Sequence, residues 1–259
     1  MRILVIGDVV STSGCDFLRK HLPSLKKVKQ IDLCIANGEN SAPGNGILPN
    51  TAEYLFDSGV DFITTGNHVF NRREIYDFLE ERSDVIRPAN YYSGNPGKGF
   101  GIIDMGRTQV GVINLLGNSF MADNTENAFL CVEKLVSELK ERCSVILVDF
   151  HAEATGEKRA MGFFLDGKVS VVFGTHTHVL TADEQILPNG TGYITDIGMV
   201  GPKQSVLGVK SEIIVSKMRT GMPARFDVED TKECILSGCI FEVDEKSGKT
   251  VSVERILIE

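Results

Sequence analysis

The chain has 259 residues, of which 42% are apolar and 24% are charged, values that are typical of a folded globular protein and disfavour a disordered chain. The formal net charge of -8 opposes attraction to long nucleic acids, so we expect no stable nucleic-acid complex. No apolar stretch approaches the ~20 residues of a membrane-spanning helix, and no export signal is evident near Met1. We therefore expect a cytoplasmic protein that does not bind membranes.

The first third of the chain alternates short apolar runs with helical patterns. β-Branched runs at Arg2–Ile6, Asp32–Ala36 and Asp61–Thr64 predict buried strands, and Cys15–Lys27 and Thr51–Ser58 predict the helices between them. The strands are spaced about 30 residues apart, which is the length of a βαβ unit. This spacing predicts a parallel sheet.

The middle of the chain continues with helices and a hairpin. Apolar residues recur with helical spacing in Arg72–Glu81 and Thr125–Lys140. Between these helices, Phe100–Met105 and Gln109–Leu115 are predicted to pair as a hairpin that turns at Gly106. We expect no domain boundary in this region.

The second half is predicted to be rich in strands. The apolar or alternating runs are Val145–Val148, Val169–Phe173, Gly192–Thr195, Val209–Ser216, Glu233–Val243 and Thr250–Ile258. Little helix is expected after Gly190. Because the length also fits one core, we predict a single α/β domain over residues 1–259, in which two sheets pack together.

Six cysteines do not form a recognisable metal motif. None belongs to a C-x-x-C pair with a matching second pair or histidines, which disfavours a zinc finger. Cys34 and Cys143 lie in apolar runs, where a free thiol usually behaves as a small buried hydrophobe. We expect all six to be free thiols in a reducing compartment.

Polar residues that commonly bind metals follow five of the predicted strands. The motifs are Gly7-Asp8, Gly38-Glu39-Asn40, Gly66-Asn67-His68, Phe150-His151 and Gly174-Thr175-His176-Thr177-His178. Side chains just after parallel strands can converge on one crevice although they are distant in sequence. Each residue alone has an ordinary structural explanation, such as capping a helix, but the joint pattern favours one functional site.

The residue types and their spacing indicate a site for two metals. On an extended segment, His176 and His178 would project to the same face. Metal pairs in phosphatases and nucleases lie about 3.5–4 Å apart, a gap that a carboxylate such as Glu39 can bridge. Oxygen and imidazole ligands without thiolate favour iron, manganese or zinc over calcium. Asn67 can bind a metal through its carbonyl oxygen, while His68 would protonate the departing oxygen.

These motifs resemble the blocks of the calcineurin-like metallophosphoesterases, and most closely the YmdB-like phosphodiesterases. The resemblance extends through Arg87-Pro88-Ala89-Asn90, Asp149-Phe150-His151-Ala152-Glu153 and Thr195-Asp196-Ile197-Gly198-Met199. Many relatives in the wider superfamily have a histidine where this chain has Val10. Asn40 would then substitute for it as a ligand.

The resemblance implies a four-layer αββα sandwich and a set of ligands. One metal would take Asp8, Glu39, Asn40 and His178, and the other would take Glu39, Asn67, His151 and His176. His68 would be the proton donor. We expect two divalent or trivalent ions, iron or manganese, with zinc as an alternative.

The expected activity is hydrolysis of a small nucleotide phosphodiester, and the resemblance suggests 2′,3′-cyclic nucleoside monophosphates. It also hints at a homo-oligomer. Two alternatives remain open: a metal-dependent phosphomonoesterase, and a regulatory nucleotide-binding protein with slow turnover. A site for monoesters should offer basic residues to the extra phosphate charge, and the sequence has no basic cluster beyond Arg72 and Arg73. These two arginines could contact phosphate or lie on a solvated helix face.

Overall fold

The computed structural model describes residues 1–259 and contains thirteen strands and six helices. The strands are β1 (Arg2–Ile6), β2 (Asp8–Val9), β3 (Leu33–Asn37), β4 (Phe62–Thr64), β5 (Phe100–Asp104), β6 (Gln109–Leu116), β7 (Val145–His151), β8 (Val171–Thr175), β9 (Gln185–Ile186), β10 (Gly192–Ile194), β11 (Met199–Pro202), β12 (Cys234–Val243) and β13 (Thr250–Ile258). The helices are α1 (Ser11–Lys29), α2 (Pro49–Asp57), α3 (Ile75–Glu81), α4 (Ala128–Leu139), α5 (Thr155–Leu165) and α6 (Ser211–Thr220). None of the helices is long and apolar enough to cross a membrane.

The first sheet has seven strands in the order β2-β11-β12-β1-β3-β4, with β13 also paired to β12. β1, β3 and β4 are parallel, as their spacing in the sequence predicts. The chain returns from each strand to the next through α1 and α2. The carboxyl ends of β1, β3 and β4 therefore lie at one edge of this sheet.

The second sheet has six strands in the order β5-β6-β7-β8-β10-β9. The predicted hairpin is confirmed as β5 and β6, whose strands are antiparallel. β6, β7, β8 and β10 are mutually parallel. This arrangement brings the carboxyl ends of β7 and β8 together.

The two sheets pack face to face between layers of helices. In β1, Ile3 and Val5 lie in the core between the sheets, whereas Leu4 and Ile6 face the core beneath α1. This alternation follows from the two-residue period of a strand. A third core lies between the second sheet and α4 and α5. The expected four-layer αββα sandwich is confirmed.

One predicted strand was wrong. The run Val209–Ser216 was expected to be extended, but most of it belongs to α6. Ile213, Ile214 and Val215 suggested a strand because β-branched residues favour that state. The helix is instead ended by Gly221 in a left-handed conformation and carries Lys217 and Arg219 in its last turn. These are signals of a helix C-terminus.

Other helical segments were missed or shortened in the sequence prediction. α1 begins at Ser11, four residues before the predicted start, and continues through Gly14 and Pro23. α5 was not predicted, because Gly156 and Gly162 weaken its helical pattern. Tertiary packing overrides these weak local preferences: a side chain at Gly14 would collide with the carbonyl of Val200.

Candidate metal centre

All eight predicted site residues come together at the carboxyl ends of strands from both sheets. The first sheet contributes Asp8, Glu39, Asn40, Asn67 and His68, and the second contributes His151, His176 and His178. Most of these side chains are buried, including Asp8, Glu39 and His151, which are at most 1% exposed. The predicted convergence on one crevice therefore occurs where the edges of the two sheets meet.

One group of side chains surrounds the amide of Asn40. Its Nδ2 lies 3.4 Å from Oδ1 of Asp8, 3.3 Å from Oε1 of Glu39 and 3.3 Å from Nε2 of His178. His178 Nε2 is also 3.6 Å from Oδ1 of Asp8. Two carboxylate oxygens and one imidazole nitrogen therefore converge on one point, which the amide N–H group of Asn40 occupies.

A second group surrounds the imidazole of His151. Its Nε2 lies 2.9 Å from Oδ1 of Asn67, 3.1 Å from Nδ1 of His176 and 3.1 Å from Oε1 of Glu39. The ligand atoms of Glu39, His151 and His176 all lie within 4.8 Å of one another. Oε1 of Glu39 is shared by the two groups, so its carboxylate lies between them.

Gly66 makes the close approach of these groups possible. A Cβ at this position would lie 2.3 Å from Nε2 of His151 and 2.5 Å from Oε2 of Glu39. Both distances are far below van der Waals contact. The glycine of the Gly66-Asn67-His68 motif thus leaves the space in which side chains from the two sheets meet.

The two histidines after β8 reach the site by a different route from the one expected. The segment is not extended, because φ is 96° at His176 and 62° at His178. Both values lie in the left-handed region, which is rare for residues with a Cβ and is often found at functional sites. The backbone N–H of His176 donates to Oδ2 of Asp8 at 3.1 Å, which ties this turn to the first sheet.

The turn that carries these histidines is held by a buried ion pair. Nζ of Lys158, in α5, donates to Oδ2 of Asp196 at 2.5 Å and to the carbonyl of Thr175 at 2.6 Å. Oδ2 of Asp196 also accepts the backbone N–H of Thr177 at 3.1 Å. Lys158 and Asp196 are at most 1% exposed. The sequence prediction missed Lys158, because α5 itself was missed.

A chain of hydrogen bonds orients the ring of His151. Its Nδ1 lies 2.9 Å from Oγ1 of Thr175, which donates to Oδ1 of Asp149 at 2.7 Å. Nδ2 of Asn37 is a further 3.3 Å neighbour of the same ring nitrogen. Such supporting contacts fix the orientation of an imidazole ligand. Asn37 was not singled out from sequence, and Thr175 was named only as part of its motif, although both are polar residues at the ends of apolar strands.

The protonation of the site follows from its burial and its charges. Burial alone would raise the pKa of Glu39 and lower that of His151, but their mutual attraction reverses both effects and raises the pKa of His151 to about 9. Burial and the neighbouring His151 lower the pKa of His176 to about 4. Burial raises the pKa of Asp149 to about 7.

The donor set fits metal ions. Asp8 and Glu39 are buried carboxylates whose ion-pair partners are histidines alone, without lysine or arginine. Buried charges in proteins are normally paired or coordinate metals. Two carboxylates, two amides and three imidazoles without a thiolate form an oxygen and nitrogen site that suits divalent transition metals.

Arg72 does not point to a phosphate site. Its Nη2 donates to the carbonyl of Pro43 at 2.5 Å and its Nε donates to the carbonyl of Asn45 at 3.0 Å. The guanidinium therefore holds the loop that follows Glu39 and Asn40. Of the two alternatives that the sequence left open for Arg72, the contact with substrate phosphate receives no support from these contacts.

Comparison with known proteins gives matches over nearly the whole chain. A model of the family described as YmdB-like protein matches residues 4–256. The chain is 44% identical over 258 residues to a 2′,3′-cyclic-nucleotide 2′-phosphodiesterase of Bacillus subtilis, in an alignment that covers 100% of this chain and 97% of that protein.

Solved structures agree with this match. A crystal structure of a novel phosphatase from Mycoplasma pneumoniae is 36% identical with a TM-score of 0.94, covering 100% of this chain and 93% of that one. The NAD nucleotidase of Haemophilus influenzae is 14% identical with a TM-score of 0.60, covering 99% of this chain and 55% of that one, and it shares the fold alone. The fold and these matches agree: the chain belongs to the family of YmdB-like proteins, and the relatives named above are a phosphodiesterase and a phosphatase.

Proposed function

We propose that the chain hydrolyses 2′,3′-cyclic nucleoside monophosphates with two metal ions held in the cleft. The observation that carries this proposal is the position of Glu39 between two groups of ligand atoms. Asp8, Asn40 and His178 would hold one ion with Glu39. Asn67, His151 and His176 would hold the other with Glu39.

The name of the Bacillus subtilis relative supports the choice of substrate. In a reaction of that kind, a water oxygen bonds to phosphorus while the bond between phosphorus and O2′ breaks. The product carries a 3′-phosphate, and O2′ takes up a proton. When bound, a metal pair supplies positive charge to the phosphate and increases the acidity of water.

His68 would give that proton, and its contacts support this role. Its Nδ1 lies 2.9 Å from Oδ1 of Asn40, and its backbone N–H donates to Oε2 of Glu39 at 2.8 Å. The side chain is 33% exposed, and its Nε2 has no hydrogen-bond partner within the protein. This nitrogen can therefore face a substrate in the open part of the cleft and regain its proton from solvent.

A substitution series tests these roles. In protein loaded with manganese or iron, His68→Ala should lower kcat for adenosine 2′,3′-cyclic phosphate by roughly 10²–10⁴-fold, which is the usual contribution of a positioned acid. The metal content should not change. His21→Ala is the matched control, because His21 is the one histidine outside the site and packs against Phe17. Equal activity of all three proteins would refute the role of His68.

A second substitution addresses the metals and the alternative of a regulatory protein. Glu39→Gln removes the shared negative charge, so the metal content and the hydrolysis should both fall. If any biological effect of the protein survives this change, binding rather than turnover is its main role. Faster hydrolysis of p-nitrophenyl phosphate than of any diester would instead favour a phosphomonoesterase.

Several wider features belong to the same proposal. We propose iron or manganese as the native metal, since oxygen and imidazole ligands suit both. All six cysteines are unpaired, which supports a reducing, cytoplasmic location. The core between the sheets contains residues of strands from both halves of the chain, including β1 and β12, which supports a single domain over residues 1–259.

A further inference from the structure

Of the six residues other than glycine that have left-handed backbone, four belong to the candidate metal centre or contact one of its residues. The six such residues are Ser11, Gln30, Phe120, His176, His178 and Leu207. Gln30 caps the end of α1, and Ser11 donates its backbone N–H to the carbonyl of Asn40. The two histidines belong to the site. Phe120 and Leu207 are the remaining two, and both have large apolar side chains that are exposed to solvent.

Leu207 occupies a turn beside His178. Val206 and Val209 exchange backbone hydrogen bonds of 2.9 and 3.0 Å around Leu207 and Gly208, whose φ angles are 55° and 92°. A two-residue turn with two positive φ angles strongly prefers Asn-Gly or Asp-Gly. The Leu207 carbonyl lies 3.1 Å from Nδ1 of His178, and its side chain is 46% exposed. The conformation of the turn therefore does not explain why a leucine occupies position 207.

Phe120 occupies the loop after β6, on the other sheet. The loop starts at Gly117, whose N–H donates to the carbonyl of His151 at 2.9 Å. The next two backbone N–H groups donate to the carboxylate of Glu157, in the first turn of α5. Three trans peptide steps keep the Cα of Phe120 within about 11 Å of the Gly117 Cα. Its ring is 89% exposed.

We infer that Phe120 and Leu207 contact the nucleobase of the substrate and set the preference for a nucleotide over a simple diester. This inference rests on the proposed function. A 2′,3′-cyclic nucleotide carries its base and its phosphate on the same ribose, so a base must lie close to a bound phosphate. Aromatic and apolar side chains can pack against the flat face of any base, whatever its identity.

Two substrates test the inference. Adenosine 2′,3′-cyclic phosphate carries a base, and 1-O-methylribose 2,3-cyclic phosphate carries the same cyclic diester without one. Phe120→Asn should raise KM for the adenosine compound by roughly five- to hundredfold, the range given by one base stacked on an aromatic ring. Leu207→Asn removes an apolar contact without a ring and should raise KM by a smaller factor. The ratio of kcat/KM for the two substrates should fall towards one.

Asparagine separates this role from a structural one. It tolerates left-handed backbone better than leucine or phenylalanine, so both variants should melt at or above the temperature of the unaltered protein. Gln30→Asn is the matched control, since it keeps a left-handed residue at the end of α1 and should preserve the substrate ratio.

The outcomes are distinct. An unchanged substrate ratio in both variants overturns the inference. A lower molecular mass by light scattering with an unchanged ratio also overturns it and assigns the two side chains to a contact between copies of the chain. If the unaltered, metal-loaded protein hydrolyses neither substrate, the proposed function itself fails.

Discussion

Replacement of Lys158 by methionine should destabilise the protein strongly, although the two side chains have similar lengths. Lys158 is 1% exposed, and its ammonium group pairs with Asp196, which is fully buried. Methionine would fill the same space but would leave the aspartate without its cation. The carbonyl of Thr175 would also lose its 2.6 Å hydrogen bond.

The expected magnitude follows from this loss. Removal of one partner from a buried ion pair typically costs about 3–5 kcal/mol, because the other charge stays buried. Asp196 keeps the backbone N–H groups of Thr177 and Gly198, so we expect the lower end of that range. For a chain of this size, about 3 kcal/mol corresponds to a fall in Tm of roughly 6–12 °C.

Thermal unfolding with matched metal content measures the effect. Lys158→Met with Asp196→Asn should be more stable than Lys158→Met alone, since no unpaired charge remains. Lys203→Met is the control, because Lys203 pairs with Glu259 at the surface and should change Tm little. A Lys158→Met protein that melts within 2 °C of the unaltered one would show that the buried pair does not hold the turn.

Two further substitutions test other parts of the structure. Gly66→Ala should abolish tight metal binding, measured by titration calorimetry, because its Cβ would lie 2.3 Å from Nε2 of His151; an unaltered affinity would mean that the site is wider than described. Burial alone would raise the pKa of Asp183, but hydrogen bonds from Thr195 and Thr181 lower it. A carboxylate whose pKa is lowered by folding stabilises the folded state at pH values above its ordinary pKa. This stabilisation is lost as the pH falls through the pKa of the group in the folded state. Asp183→Asn should therefore lower Tm at pH 7, and the difference should shrink below about pH 4; a constant difference would contradict this.

Much of the fold could be predicted from local patterns. The strands β1, β3 and β4 are short buried runs at regular spacing, and their parallel arrangement follows from that spacing. The segment after Leu207 could not be assigned in the same way. Its β-branched residues favour a strand. The segment is largely exposed, however, and it does not pair with a neighbouring strand against which these side chains could pack, so it forms α6 instead.

The residues of the site could be predicted from sequence because the ends of parallel strands converge. The geometry of the site could not be predicted in this way. Spacing alone could not show that His176 and His178 reach the cleft through left-handed backbone. Spacing also could not show that Lys158 and Asp196, which are 38 positions apart, form the ion pair that holds this turn. Both features depend on contacts between elements that are distant in the chain.

Anomalous diffraction from crystals grown with manganese tests the metal centre most directly. We expect two peaks on opposite sides of the Glu39 carboxylate, about 3.5–4 Å apart, one near Asp8 and His178 and the other near His151 and His176. A single peak, or two peaks that do not have Glu39 between them, would contradict the shared-carboxylate arrangement on which the proposed chemistry depends.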